Sequence, residues 1–241
     1  MVAMTRGPRS RSENPIVYLD VKIGERLAGR LLIEVGFVLS GILLSKSHFV
    51  GEPFEQLRAD VVPRTAENFR RLCTGETRNA LTGRRRHLAN CPFHRVVHGN
   101  FCQSGDYLNH DGSGGASTFE DEDELSAPTS PGSIAPADPF AFTPMASAFA
   151  DENFVLRHTG AGVLSMANTG PDSNTSQFYL HFGPSPLMDD QHVVFGCLVG
   201  PASFAVLDAI HGVATARGDP KLPVKITTCG QVDTSTMHLS E

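Results

Sequence analysis

Tryptophan is absent from this chain of 241 residues, and tyrosine occurs only three times, so fifteen phenylalanines supply most of the aromatic side chains. Positive charge is also scarce, because 20 Lys and Arg residues face 26 Asp and Glu residues and the formal net charge is −6. A nucleic-acid binder needs Lys and Arg to neutralise phosphates. The charge balance therefore argues against nucleic acid as a partner.

Disulfide bonds, structural metal sites and membrane spans are not expected either. The five cysteines are an odd number without CxxC spacing, and residues 1–14 lack the apolar core of a secretory leader. The longest apolar stretch, residues 31–44, contains Glu34 and is shorter than the ~20 residues that cross a bilayer. Reduced thiols in the cytoplasm, with the nucleus as the alternative, fit this composition.

Turn-forming residues are frequent, with 23 Gly and 16 Pro, and the periodicity between them favours strands. The run that starts at Ile16 predicts a β-hairpin, and Pro63 and Pro201 each open a pattern of helical spacing. Six further short strands are predicted at 93–98, 101–104, 161–167, 177–182, 192–199 and 224–229. Many short strands and two helices predict a mainly-β fold, a single closed β-barrel whose ends the helices cap.

Three segments interrupt this succession of short strands and helices, and they are predicted to be loops inserted into one domain. Residues 36–57 have no convincing period, residues 77–90 are Arg-rich, and residues 120–148 begin with an acidic run and continue rich in Pro, Ala and Ser. The predicted organisation is a disordered arm at 1–14, a single domain at 15–232 and a tail at 233–241.

Two stretches of the chain carry the motifs of a known family. They are FHRVVHGNFCQSGD at 93–106 and GVLSMANTGPDSNTSQF at 162–178, and HVVFG follows at 192–196. NPIVYLDV, PRTAENFRRLCTGE, FADENF and ITTCGQ complete a set that covers nearly all of the chain outside the inserts. The chain closely resembles the cyclophilins, peptidyl-prolyl isomerases built on an eight-stranded antiparallel barrel with two capping helices. Its loop at 77–90 resembles that of the divergent-loop subgroup.

The resemblance implies an enzyme that accelerates rotation about X-Pro bonds in protein substrates and so assists folding. Amide resonance sets a barrier of ~18–20 kcal/mol to this rotation, and a donor to the prolyl nitrogen of the twisted amide lowers that barrier. By its position in FHR, Arg95 is that donor. The resemblance adds three further catalytic residues, which are Gln103 beside Arg95, Asn168 for the peptide backbone, and His192 at the pocket rim. The chemistry requires no cofactor and no metal.

The resemblance also implies a pocket for the proline ring. Its substrate-binding residues are Asn100, Phe101, Ala167, Gln177, Tyr179, Leu187 and Met188. Tyr179 and Met188 are mild departures from the usual Phe and Leu, whereas Asn100 is expected to make one pocket wall polar. Leu187 replaces the usual Trp, which contributes strongly to cyclosporin binding and less to isomerisation. We therefore expect reduced isomerase activity and weak or no cyclosporin binding.

Cysteine and basic clusters give weaker signals. Cys73 and Cys229 stand where divergent-loop cyclophilins have cysteines linked to thiol regulation, and the alternative is two buried, inert thiols, because free Cys is often buried. The run Arg84–Arg86 is interpreted as a solvated turn, with a nuclear-import patch as the alternative. His94 and His98 share one strand face, but without further ligands nearby in sequence a metal site is not expected.

Three functional classes remain open. The first is a monomeric isomerase that acts on Pro-containing segments of client proteins, without a membrane or nucleic-acid partner. The second is a module that binds such segments with negligible turnover, and the third is a scaffold whose inserts carry the function. The insert at 120–148 is expected beside the substrate groove, where it modulates which partners enter. The presence of Arg95, Gln103, Asn168 and His192 favours the enzyme.

Overall fold

The computed structural model describes residues 14–35, 61–80, 82–119 and 148–233, and the structural statements below refer to these ranges. The predicted arm at 1–14, the inserts at 36–57 and 120–148 and the tail at 233–241 lie outside the described residues, apart from Asn14, Ala148 and Asp233. The insert at 77–90 is described except for Leu81.

The described ranges contain eight β-strands and two long α-helices, which confirms the mainly-β prediction. The strands are β1 Ile16–Ile23, β2 Arg26–Val35, β3 Arg95–Val97, β4 Phe101–Ser104, β5 Val163–Met166, β6 Phe178–His181, β7 Val194–Val199 and β8 Val224–Gln231. The helices are α1 Pro63–Thr74 and α2 Pro201–Gly212, and Pro186–Met188 form one 3₁₀ turn. Among the described residues, neither helix nor turn is long and apolar enough to cross a membrane.

All eight strands join one antiparallel sheet in the order β3-β4-β6-β5-β7-β2-β1-β8. The end strands β3 and β8 meet through the residues that precede β3. Phe93 donates its N–H to the Val224 carbonyl at 2.8 Å, and Ile226 donates to the Cys91 carbonyl at 2.9 Å. These bonds bring the two ends of the sheet together, so the sheet curls into a barrel.

Helix α1 begins at Pro63, because the fixed φ of proline suits the first helical turn. It ends at Gly75, which takes the left-handed conformation at φ 62°. A remote side chain caps its N-terminus, since the Glu152 carboxylate accepts the N–H groups of Arg64 at 3.0 Å and Thr65 at 2.8 Å. A carboxylate at this end also interacts favourably with the helix dipole.

The phenylalanine excess is partly explained by the core. Phe69 of α1 lies 5.1 Å from Phe178 of β6 and 4.9 Å from Phe195 of β7, measured between ring centroids, and all three rings are buried. Successive strand residues point to opposite faces of a sheet. Phe178 therefore faces the core while Tyr179, the next residue, faces the other side of the sheet.

The Arg-rich loop corrects one interpretation in part, because Arg84 and Arg85 are exposed but bonded to backbone carbonyls, and Arg86 is buried. Arg85 donates to the carbonyl oxygens of Thr74 and Gly75 at the C-terminal end of α1, where positive charge is favourable. Arg86 is only 1% exposed. Arg84 donates to two carbonyl oxygens of the segment after β4, at 2.7 and 3.0 Å. Backbone acceptors inside the molecule thus occupy this basic run.

Candidate functional site

A small apolar cluster lies on the outer face of the sheet, apart from the main core. Phe101, Ala167 and Tyr179 form it, and Val97 and Met188 pack against it. The rings of Phe101 and Tyr179 are 4.5 Å apart, and both residues are less than 9% exposed. We call Phe101, Ala167 and Tyr179 the apolar cluster. Its members, together with Met188, are four of the predicted substrate-binding residues.

Strand register places the polar residues of the site beside the apolar cluster. In β4, Phe101 and Gln103 face outward, whereas Cys102 between them belongs to the main core. Gln103 stands opposite Tyr179 of β6 on one side and opposite Arg95 of β3 on the other. Three neighbouring strands therefore bring a guanidinium, a carboxamide and two aromatic rings to one surface.

The Arg95 guanidinium is available to a ligand. Arg95 is exposed, its Cζ lies 5.4 Å from the centroid of the Phe101 ring, and within the described residues its side chain makes no hydrogen bond or ion pair. Gly218, at φ +101°, supports the base of the side chain, because a Cβ there would come within 2.9 Å of the Arg95 Cγ. The five N–H donors of the guanidinium are thus open toward solvent.

A chain of carboxamides fixes the orientation of Gln103. Gln177 donates both of its Nε2 hydrogens, to the carbonyls of Gly112 at 2.9 Å and Gly114 at 2.7 Å, so its Oε1 is left to accept. Gln103 donates its Nε2 to that Oε1 at 2.8 Å. The Oε1 of Gln103 consequently remains as an acceptor on the surface. In this structure Gln103 is bonded to Gln177 and makes no hydrogen bond to Arg95.

Asp106 organises the loop that holds Gln177. Its carboxylate accepts five backbone N–H groups, from Leu108, Asn109, Asp111, Gly112 and Gly114, at 2.8 to 3.2 Å. Burial raises the pKa of Asp106, but the backbone donors outweigh burial and bring the pKa down to about 2. The carboxylate is therefore charged at all ordinary pH values and keeps the two glycine carbonyls aimed at Gln177.

Asn168 and His192 lie on the side of the apolar cluster that is opposite to Arg95 and Gln103. The Asn168 Nδ2 donates to the Gln191 carbonyl at 2.8 Å, while its own backbone N–H and C=O have no hydrogen-bond partner in the described ranges. The His192 ring meets the Tyr179 ring edge to face at 5.3 Å, and its Nδ1 donates to the Met166 carbonyl at 3.1 Å. Burial lowers the pKa of His192, so the ring is neutral at neutral pH.

Three predicted binding residues lie outside the apolar cluster, namely Asn100, Gln177 and Leu187. Asn100 is exposed in the turn between β3 and β4, and its Oδ1 is 3.4 Å from the Ser185 Oγ. Phe101, the next residue, supplies the cluster ring. Leu187, in the 3₁₀ turn, is 89% exposed. The apolar cluster thus contains neither the Asn100 nor the Leu187 side chain, and both lie at its edge.

The two cysteines of the redox hypothesis are buried away from these strands, at the end of α1 and in β8. Burial raises the pKa of Cys73 well above its usual value and that of Cys229 to about 12. The His87 Nε2 lies 3.3 Å from the Cys229 Sγ and 3.1 Å from the Cys73 carbonyl. Across the described ranges, no group of three or more His, Cys, Asp or Glu residues could hold a metal ion.

A second set of polar residues lies beside the apolar cluster and was not predicted. It comprises His158, Ser165, His181, Ser185 and Asp189. A signal for it was present, because His181 follows Tyr179 by two positions in a strand and so shares its face. The remaining members come from segments that are distant in sequence, and only the fold brings them together.

Comparison with known proteins agrees with this geometry. The family described as cyclophilin type peptidyl-prolyl cis-trans isomerase/CLD matches residues 54–231. A Rhizopus delemar protein named peptidyl-prolyl cis-trans isomerase H is 38% identical over 221 residues, which cover 91% of this chain and 96% of the relative. Peptidyl-prolyl cis-trans isomerase CYP22 of Arabidopsis thaliana is 37% identical over 221 residues, covering 91% of this chain and 85% of the relative.

Proposed function

The chain belongs to the cyclophilin-type peptidyl-prolyl cis-trans isomerases, and we propose that Arg95 provides the transition-state stabilisation for its reaction. Members of this family bind Pro-containing peptide segments and isomerise the X-Pro bond. The observation that carries the proposal is the exposed Arg95 guanidinium, which makes no hydrogen bond or ion pair in the described ranges and lies over the Phe101 ring of the apolar cluster.

Arg95 acts on the prolyl nitrogen. In the planar amide the nitrogen lone pair is delocalised, and in the twisted transition state it becomes a hydrogen-bond acceptor. A guanidinium held beside the nitrogen therefore binds the transition state more strongly than either ground state. Because rotation makes and breaks no covalent bond, neither a nucleophile nor a proton shuttle is needed.

The other residues hold the substrate in place. The apolar cluster receives the proline ring, and Met188 and His192 form its edge. The unpaired N–H and C=O of Asn168 are suited to hydrogen bonds with an extended peptide, as in the addition of a strand to a sheet. Gln103 offers its Oε1 to a donor of the peptide or to Arg95. These contacts hold the peptide in place while its X-Pro bond rotates and Arg95 binds the prolyl nitrogen.

An NMR exchange assay on the tetrapeptide Ala-Ala-Pro-Phe tests the proposal. Loss of one donor aimed at the transition state typically costs about 10²–10³ in rate, so Arg95→Ala should lower kcat/KM by at least 100-fold. Arg157→Ala is the matched control, because Arg157 is exposed and pairs only with Asp190 in the described structure. Unchanged exchange in Arg95→Ala would show that another group carries the reaction.

We propose that activity is only slightly below that of a cyclophilin with the usual pocket. Asn100 lies beside the apolar cluster rather than within it, so its polarity affects the pocket mainly through the contact with Ser185. Weak cyclosporin binding is proposed on the exposed Leu187, which offers less apolar surface than Trp. Asn100→Phe should then raise kcat/KM by no more than about threefold, and a tenfold gain would show that Asn100 does spoil the pocket.

The single domain at 15–232 is also a proposal, supported by the hairpin of β1 and β2, which pairs with β7 and β8 although the family match begins at residue 54. We also propose a monomer in the cytoplasm, with the nucleus as the alternative, and the five free cysteines fit such a reducing compartment. Sedimentation and fluorescence microscopy of the tagged full chain test these two statements. Deletion of 121–147 tests whether the acidic insert selects partners, since unaltered binding of protein substrates would refute that role.

A further inference from the structure

His181 is fully buried beside the apolar cluster, and both of its ring nitrogens have hydroxyl partners. The Nε2 lies 3.0 Å from the Ser165 Oγ, and the Nδ1 lies 3.1 Å from the Ser185 Oγ. A neutral imidazole has one donor and one acceptor nitrogen, and a hydroxyl can serve either. The two serines therefore satisfy the neutral ring completely at a site where an unsatisfied polar group would be costly.

The same imidazole contacts both aromatic rings of the apolar cluster. Its centroid is 6.2 Å from that of Phe101 and 6.2 Å from that of Tyr179, with interplanar angles of 66° and 65°. Edge-to-face contacts of this kind have a preferred geometry. The His181 ring thus packs beside Phe101 and Tyr179 on the same face of the sheet, while these two rings support each other at 4.5 Å.

His158 connects this layer to the 3₁₀ turn at the edge of the site. Its ring lies 4.7 Å from that of His181, and its Nδ1 is 2.7 Å from the Asp189 Oδ1, directly after Met188. Ser185 donates its backbone N–H to the His158 carbonyl at 3.0 Å. Through Ser185 and His158, His181 is linked to the segment that carries Leu187 and Met188.

The charge state of His181 agrees with this packing. Burial, which is the largest cause, and the neighbouring rings of His158 and His192 together lower its pKa to about 3, against the attraction of Asp189. Burial also lowers the pKa of His158, although Asp189 opposes this. His181 therefore stays neutral throughout the range in which isomerases are assayed.

We propose that His181 is a positioning residue, whose neutral imidazole holds Phe101 and Tyr179 and the 3₁₀ turn in the arrangement that receives the proline ring. The inference rests on the proposed function of the apolar cluster. His181 does not touch substrate, so its effect is on the binding of the proline ring and leaves the action of Arg95 on the bound amide unchanged. Its loss is therefore expected to raise KM and to alter kcat little.

The test compares His181→Ala with Leu19→Ala in the full-length chain. Leu19 is fully buried in β1, a strand that does not pair with β4 or β6, so its truncation destabilises the protein without touching the site. With Ala-Ala-Pro-Phe, His181→Ala should raise KM at least tenfold with kcat within threefold, and change the NMR ring signals of Tyr179. Leu19→Ala should change none of these values under conditions where both variants are folded.

An unchanged KM in His181→Ala, or an equal change in Leu19→Ala, would overturn the proposal. If His181→Ala does not fold, Ser185→Ala replaces it, with a threefold rise in KM expected and an unchanged KM contradicting the proposal. Peptide affinity is also measured by NMR titration in an Arg95→Ala background. This affinity decides the role of His181 even if Arg95 proves not to be the catalytic group.

Discussion

The rim and the base of the candidate site are built in opposite ways. The rim consists of Arg95, Asn100 and Leu187, which are exposed, and Arg95 has no ion pair or hydrogen bond in the described ranges. The base consists of Phe101, Tyr179 and His181, which are buried and contact one another. The exposed side chains of the rim can contact a ligand, whereas the buried side chains of the base pack against one another. Activity and stability should therefore respond to different substitutions.

The largest difference is expected between Phe101→Ala and Leu187→Ala. Phe101 is 7% exposed and contacts Tyr179, His181 and Arg95, so its truncation leaves a cavity and should lower the free energy of unfolding by about 3–5 kcal/mol. Leu187 is 89% exposed, and its truncation should cost less than about 0.5 kcal/mol. Urea unfolding measures both. A cost below 1 kcal/mol for Phe101→Ala would remove the distinction between rim and base.

Lowering the pH should destabilise the folded protein through His181 in the base and not through the residues of the rim. The pKa of His181 falls from 6.5 to about 3 on folding, so below pH 6.5 the unfolded chain binds a proton that the folded protein cannot bind. The contribution of His181 to the free energy of unfolding is complete above pH 6.5 and falls as the pH is lowered, by about 1.4 kcal/mol per pH unit, or about 3 kcal/mol at pH 4. Urea unfolding at pH 7, 5.5 and 4 measures this slope.

His181→Gln supplies the matched variant for that slope, because glutamine is polar and does not titrate. Between pH 6.5 and 4, the free energy of unfolding of His181→Gln should change by about 1.4 kcal/mol per pH unit less than that of the wild type. This difference corresponds to one proton. His98→Gln controls for the replacement of an imidazole by a carboxamide, because His98 is exposed and lies outside the apolar cluster. If the slopes of wild type and His181→Gln coincide, His181 is not the group that resists protonation.

A smaller effect is expected when the rim is enlarged. Leu187→Trp restores the residue that cyclophilins use for cyclosporin, and burial of the added ring against the drug should contribute about 1.5 kcal/mol, or about tenfold in Kd. The kcat/KM should stay within twofold, because Leu187 is not part of the apolar cluster. The new Trp would also report binding by fluorescence in a chain that has none. An unaltered Kd would show that Leu187 does not determine the affinity for cyclosporin.

The smallest effect is expected at the buried cysteines, which extend the comparison to a region outside the site. Thiolates react with oxidants and thiols do not, and burial raises the pKa of Cys73 and Cys229 far above neutral pH. Mild oxidation with diamide should therefore leave kcat/KM unchanged. A loss of activity that Cys73→Ser abolishes would instead support the redox switch.

Much of the fold was predictable from the sequence, because its signals are local. Pro63 and Gly75 mark the two ends of α1, and alternation along β6 separates Phe178 in the core from Tyr179 at the site. Arg86 could not be predicted as buried, since its acceptor is a carbonyl that the folded loop brings to it. The motif words likewise indicate Asn100 and Phe101 but not which of them packs on Tyr179. That choice depends on the register of β4 against β6.

The pairing of β1 with β8 has a consequence for how the protein is made. β1 is the first and β8 the last strand of the described residues, and seven residues of β1, from Val17 to Ile23, have partners in β8. Contacts of such long sequence separation form late, after the local ones. The barrel cannot be completed until β8 has left the ribosome. An isomerase that acts on the folding of other chains therefore completes its own barrel through the pairing of residues 17–23 with residues 224–231.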